Sequence, residues 1–102
     1  MDYIRLNCIF CTRKHIAQAK VLLLEFIKDK IKYELHFDDA IGHLGEAEDE
    51  SSVLWPDLSN AIREQRINLE QSDESSIDFP DFVTLQKMIR ILIKQVKHEL
   101  SE

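Results

Sequence analysis

The chain has 102 residues, a net charge of −6, 44% hydrophobic and 31% charged side chains, and only two glycines and two prolines. That length makes a single domain with one modest core, and so few turn residues favour long helices over an all-β chain that reverses every ten residues or so. No apolar run is long enough to cross a membrane, because Val21 to Leu24 stops at Glu25 and Met88 to Ile93 is broken by Arg90.

The opening Met1-Asp2-Tyr3-Ile4-Arg5 lacks the basic segment and long apolar stretch of a secretory leader, so a cytoplasmic protein is expected. Residues 1–7 read as a short extended lead-in, with Asn7 or Thr12 able to cap the first helix. A helix follows over about 12–31, where Ile16, Ala19, Leu22, Leu23, Phe26 and Ile27 recur at three- and four-residue steps. Val21 and Leu24 broaden that stripe and make this the most buried element. The second helix, about 35–50, has Phe37, Ala40, Ile41, Leu44 and Ala47 as its apolar face. Gly42 and Gly45 inside it imply a local break or a close backbone approach. Trp55-Pro56 marks a boundary, with proline suited to the first helical position of a third helix over about 56–68, lined by Leu58, Ala61, Ile62 and Leu69.

Residues 71–78 are polar, acidic and aperiodic, and read as a solvated loop. Phe79-Pro80-Asp81 opens a last helix over about 80–99, with Phe82, Leu85, Met88, Ile89, Leu92, Val96 and Leu100 as its buried stripe. Four helices in one domain spanning residues 1–102 give an all-α four-helix bundle.

Charge is unevenly distributed. Residues 1–32 carry seven Lys/Arg against three acids, residues 33–81 two against fourteen, and residues 82–102 four against two. The acidic middle argues against nucleic acid as the main partner, since phosphate binding needs concentrated positive charge. It fits either acidic helices lying beside basic ones, or an acidic face that docks a basic protein partner.

Chemistry-bearing residues concentrate in two stretches. Both cysteines, Cys8 and Cys11, lie two residues apart, with His15 four residues after the second. On the second helix His36, Asp39, His43, Glu46 and Glu50 fall within about 80° of one another at 100° per residue. Thiolate and imidazole are ligands that zinc favours, and tetrahedral closure needs a fourth group. If the two helices turn near residue 31, position 15 opposes position 47, so that Glu46 and Glu50 approach His15. His43 then opposes position 19, about 6 Å further along the axis, and reaches His15 only if the helices are offset. The metal-ligand set is therefore Cys8, Cys11 and His15 with His43, Glu46 or Glu50.

Thiol redox chemistry fits the same residues. A cysteine in the first turn of a helix beside Arg13 and Lys14 has a stabilised thiolate, and His15 stands one turn beyond Cys11 for proton transfer. The nine residues Asn7-Cys8-Ile9-Phe10-Cys11-Thr12-Arg13-Lys14-His15 resemble the CxxCxxxH motif of alkylhydroperoxidase and carboxymuconolactone decarboxylase-like proteins. The resemblance implies an all-helical thiol peroxidase relative with Cys11 attacking, Cys8 resolving and His15 relaying a proton. The succession of that motif, Ala40-Ile41-Gly42-His43-Leu44-Gly45-Glu46-Ala47-Glu48-Asp49-Glu50 and Ile62-Arg63 is also similar to small uncharacterised bacterial and phage-type helical proteins. That broader likeness implies that the cysteines and the His43–Glu50 stripe form one site.

Three functions follow as expectations. The first is a small helical protein with a Cys/His(/Glu) site holding structural zinc and acting through protein contacts. The second is a thiol oxidoreductase using Cys11, Cys8 and His15. The third is a metal-free interaction or inhibitor module that presents the acidic middle to a basic partner.

Overall fold

The computed structural model describes residues 2–73 and 75–101. Met1 and Glu102, the limits of the expected domain, and Glu74 of the expected loop lie outside them. Four helices follow one another, α1 (Asp2–Lys28), α2 (His36–Ser51), α3 (Pro56–Gln71) and α4 (Phe82–Ser101), and they form the all-α bundle that the patterning predicts. The bundle measures 51 × 21 × 19 Å, and the 27-residue α1 is its spine. Both α2 and α4 pack along α1, and α3 packs on α2.

Burial along α1 falls on Ile9, Thr12, Ile16, Ala19, Leu23 and Phe26. These alternate in steps of three and four, the spacing of a helix seam. The seam begins well before residue 12, and this corrects the expected lead-in. Residues 2–7 are helical because Leu6 and Ile9 carry the stripe onto the core, while Arg5 pairs with Glu99 of α4. Asn7 and Thr12 consequently lie inside the helix and cap nothing. The Thr12 hydroxyl is buried and donates to the Cys8 carbonyl 2.9 Å away, one turn back. Val21, Leu24 and Ile27 do not broaden the buried stripe. They are 53, 50 and 47% exposed, because α1 is covered only on the sides that face α2 and α4.

Helix α1 ends at Lys28, three residues before the expected limit, and residues 30–35 form a run of turns. The Asp29 carboxylate accepts the Lys32 amide at 3.1 Å, and the Asp29 carbonyl accepts the Tyr33 amide at 3.1 Å. The connection climbs back beside α1, so that His36 at the start of α2 already meets Glu25 at 3.0 Å.

Helix α2 buries Phe37, Ala40, Leu44 and Ala47. It runs unbroken through Gly42 and Gly45. A Cβ at Gly42 would meet nothing within 4 Å, and one at Gly45 only the Arg66 side chain at 3.9 Å. Neither the expected break nor a close backbone approach is present.

The far side of α2 is locked to α3 through Glu48, which is buried at 8% exposure. One carboxylate oxygen takes Arg63 Nε at 2.6 Å and the other Arg66 Nε at 2.8 Å. The Ser59 hydroxyl donates to the Glu48 carbonyl at 2.9 Å. Burial alone would raise the Glu48 carboxyl, but hydrogen bonds from Arg66 and Arg63 outweigh it and hold the group below the usual carboxylate range.

Helix α3 opens with Pro56 at its first position, as the sequence predicts, and extends to Gln71 because Leu69 belongs to the core. Helix α4 begins at Phe82 rather than residue 80. Its start is fixed by the Asp81 carboxylate, which accepts the Thr84 hydroxyl at 2.6 Å and the Thr84 amide at 3.0 Å. Those two bonds hold the Asp81 carboxyl below its ordinary value. The buried stripe of α4 includes Ile93, and Met88 and Leu92 are only partly covered.

Candidate metal centre

Antiparallel packing of α1 and α2 brings the two chemistry-bearing stretches together, but not in the expected register. Position 15 lies opposite 43, one turn away from position 47. His15 Nδ1 is 2.9 Å from His43 Nδ1, and His15 Nε2 is 3.1 Å from a Glu46 carboxylate oxygen. The two imidazole rings are tilted by 31° with centroids 5.2 Å apart. Each of His15, His43 and Glu46 offers a ligand atom within 4.8 Å of the others. The offset foreseen as the condition for His43 to reach is present. The reason is the climbing 29–35 connection, which starts α2 alongside Glu25 instead of beyond the end of α1.

The contacts constrain protons. Glu46 can only accept from His15 when ionised, so the His15 Nε2 position carries a hydrogen. Two facing Nδ1 atoms at hydrogen-bond distance need one further proton between them. A metal ion can take the place of that proton. Two nitrogens bound to one ion at about 2.0–2.1 Å stand about 2.9–3.4 Å apart for bond angles from square to tetrahedral, and the Nδ1 pair already lies in that range. Glu46 contacts the other ring nitrogen of His15, so it would join an ion at the Nδ1 pair only by leaving that contact, which its 62% exposed side chain has the room to do.

The histidine pair separates two clefts. On one side His15, Glu46, Asp49 and Glu50 line an open space of about 410 Å³. On the other, Lys14, Ala17, Gln18, Val21, Leu22 and His43 line a more apolar one of about 390 Å³. Asp49 and Gln18 are additions that sequence reasoning missed. Gln18 follows His15 by three residues, which puts it on the same helical face, and its buried side-chain oxygen has no donor among the described residues.

The cysteines stand apart from this group. Cys8 Sγ donates to the Glu50 carbonyl at 3.3 Å and lies 3.6 Å from the Glu50 carboxylate. Cys8 is seven residues before His15, about 10 Å along the axis. Glu50 thus goes to Cys8, while His43 and Glu46 go to His15. Burial first, and then the adjacent Glu50 carboxylate, pushes the Cys8 thiol above its ordinary value.

Both cysteines are free and half-buried. Neither is in the first turn of a helix, since α1 starts at Asp2, and the dipole effect fades beyond that turn. Cβ atoms three residues apart on a continuous helix are about 5–6 Å apart, against about 3.5–4.5 Å in a disulfide. An internal Cys8–Cys11 bond would therefore require α1 to distort.

No helix among the described residues is long and apolar enough to cross a membrane. Comparison of the chain with family models, with curated proteins and with solved structures returned no match. The CxxCxxxH resemblance accordingly rests on its own nine residues.

Proposed function

We propose that this is a small cytoplasmic metal-binding protein in which His15, His43 and Glu46 hold one divalent ion, with zinc as the first choice. The observation that carries the reading is the 2.9 Å approach of two imidazole Nδ1 atoms from different helices beside an exposed carboxylate. Two imidazoles and one carboxylate form a donor set suited to zinc and to other borderline first-row ions. The ion would join α1 to α2 at mid-bundle and act as a staple on the surface those helices present to a protein partner. A three-ligand set leaves a coordination position open toward Asp49 and Glu50, which is filled by water or by one of those carboxylates.

This reading moves the ion from the cysteines to the histidines. The test is elemental analysis of untagged protein purified under reducing conditions, followed by zinc titration of the metal-free form. The expected result is one saturable zinc site per chain. That site is lost in His15→Ala and His43→Ala, weakened in Glu46→Gln, and kept when Cys8 and Cys11 are both changed to Ser. Absence of saturable binding would sink the proposal. Binding that survives both histidine substitutions and disappears with the cysteines would return the ion to the thiols.

A further inference from the structure

The protein is acidic overall, yet a long stretch of one seam contains no acids. Residues 3–24 of α1 and residues 82–98 of α4 hold eight Lys/Arg and not a single Asp or Glu, and the fold packs these two helices against each other. The chain has five arginines. Arg5, Arg63 and Arg66 are each paired with a glutamate. Arg13 and Arg90, which have no carboxylate partner among the described residues, are the two that meet in one cleft. That cleft, about 420 Å³, lies between α1 and α4 and is lined by Arg13, Ala17, Gln86, Arg90 and Ile93.

Two guanidinium groups facing one space repel unless an anion lies between them, and no carboxylate among the described residues lines the cleft. What it does supply is support for Arg13. The Phe10 ring lies 4.8 Å from the Arg13 guanidinium carbon, and Lys97 Nζ from α4 approaches the same ring at 5.9 Å. An aromatic face attracts cations without neutralising them, so the seam stays positive. Gln86 adds an amide donor. Ala17 keeps the α1 wall low, and the buried Ile93 makes an apolar floor.

We infer that the α1–α4 cleft binds a phosphomonoester, with Arg13 and Arg90 gripping the phosphate from opposite walls and Gln86 as a third donor. Planar guanidinium forks match phosphate oxygens in pairs. The volume exceeds what one phosphate fills and lies in the range of small-ligand sites, which leaves room for a compact organic group on Ala17 and Ile93. The site is separate from the histidine cluster and does not depend on metal.

The experiment is titration of the protein with inorganic phosphate at constant ionic strength set by chloride, read by calorimetry and by arginine side-chain NMR signals. Saturable one-to-one binding is expected, with the Arg13 and Arg90 Nε–H signals shifting together. Arg13→Gln and Arg90→Gln should each weaken it at least tenfold, while Lys87→Gln, which removes a charge outside the cleft, should change it less than twofold. Arg90→Lys should recover only part of the affinity, because charge returns without the fork. Circular dichroism checks that each variant is folded, and the exposed positions make that the expected outcome. A small phosphomonoester such as glycerol phosphate should bind more tightly than phosphate itself. Non-saturating titration, or equal loss with Lys87→Gln, would reduce the effect to the general field of the seam and overturn the site. Binding of a single-stranded oligonucleotide that phosphate fails to displace would overturn it in favour of an extended nucleic-acid surface.

Discussion

Replacing Glu48 by Gln removes one charge at the α2–α3 contact with almost no change of shape. The Glu48 side chain is 10% exposed and its carboxylate takes one guanidinium on each oxygen, at 2.6 and 2.8 Å. Hydrogen bonds to charged groups contribute about 1.5–3 kcal/mol each. Arg63 is 50% exposed at its side chain and rehydrates readily, whereas Arg66 is 23% exposed and recovers less. The net loss is therefore about 2 kcal/mol, equivalent to a fall in Tm of about 8–16 °C for a domain of this size. The pH dependence has a definite sign. The folded-state Glu48 carboxyl lies below its ordinary value, so its contribution is complete above the unfolded value near pH ~4.3. It is lost as the pH falls from there through the folded value. Urea unfolding of wild type and Glu48→Gln at several pH values should show a gap that is constant near neutrality and closes in acid. Position 48 lies about 200° around α2 from Glu46, so zinc stoichiometry should not change. A difference below about 0.5 kcal/mol at pH 7, or one that persists unchanged to pH 3, would refute the reasoning.

Other expectations are equally direct. Gly42→Ala should stabilise the protein by about 0.5–1 kcal/mol in denaturant titration, since a Cβ there meets nothing within 4 Å and glycine is a poor helix former. Leu44→Ala, at a fully buried site on α2, should cost about 2–5 kcal/mol by the same measurement. The raised Cys8 thiol should alkylate more slowly at pH 7.5 than a free cysteine, because less thiolate is present. Glu50→Gln should speed that reaction, which peptide mass spectrometry can follow. If the histidine cluster binds zinc, free zinc at a hundred times its Kd should add about 2.7 kcal/mol to stability in wild type and nothing in His43→Ala.

Much of the fold is legible because burial repeats with the helical period. Phe37, Ala40, Leu44 and Ala47 on α2, and Phe82, Leu85, Ile89 and Val96 on α4, are the positions that the pattern selects. The start of α1 is less legible. Leu6, Ile9 and Thr12 carry the seam, but a threonine and two cysteines interrupt its apolar signal, and a cap-forming residue such as Asn7 imitates a helix boundary. Val21, Leu24 and Ile27 mislead in the opposite direction. Periodicity shows that a helix has an apolar side, but the number of neighbours decides how wide a side is covered. The basic stretch of the α1–α4 seam follows the same logic, because the charge of each segment is plain in the sequence while the contact between α1 and α4 is not.

The candidate site shows where such reading stops. His43, Glu46 and Glu50 lie on one stripe of α2 at steps of three and four, as do Cys8, Cys11 and His15 on α1. Sliding one helix past the other by a turn, about 5.4 Å, leaves each stripe facing its partner and changes which residues stand opposite one another. Hydrophobic burial discriminates weakly between these registers, because Ala40, Leu44 and Ala47 repeat at the same steps. Turn length alone does not decide either. The 29–35 connection folds back on Asp29 and delivers His36 to Glu25, and that local geometry sets the slide. Glu46 approaches His15 as the sequence predicts, and one turn less offset would bring Glu50 there as well. The observed register gives His15 a second imidazole and leaves Glu50 to Cys8. The pairing of the two stripes is thus set by seven connecting residues that carry none of the candidate ligands.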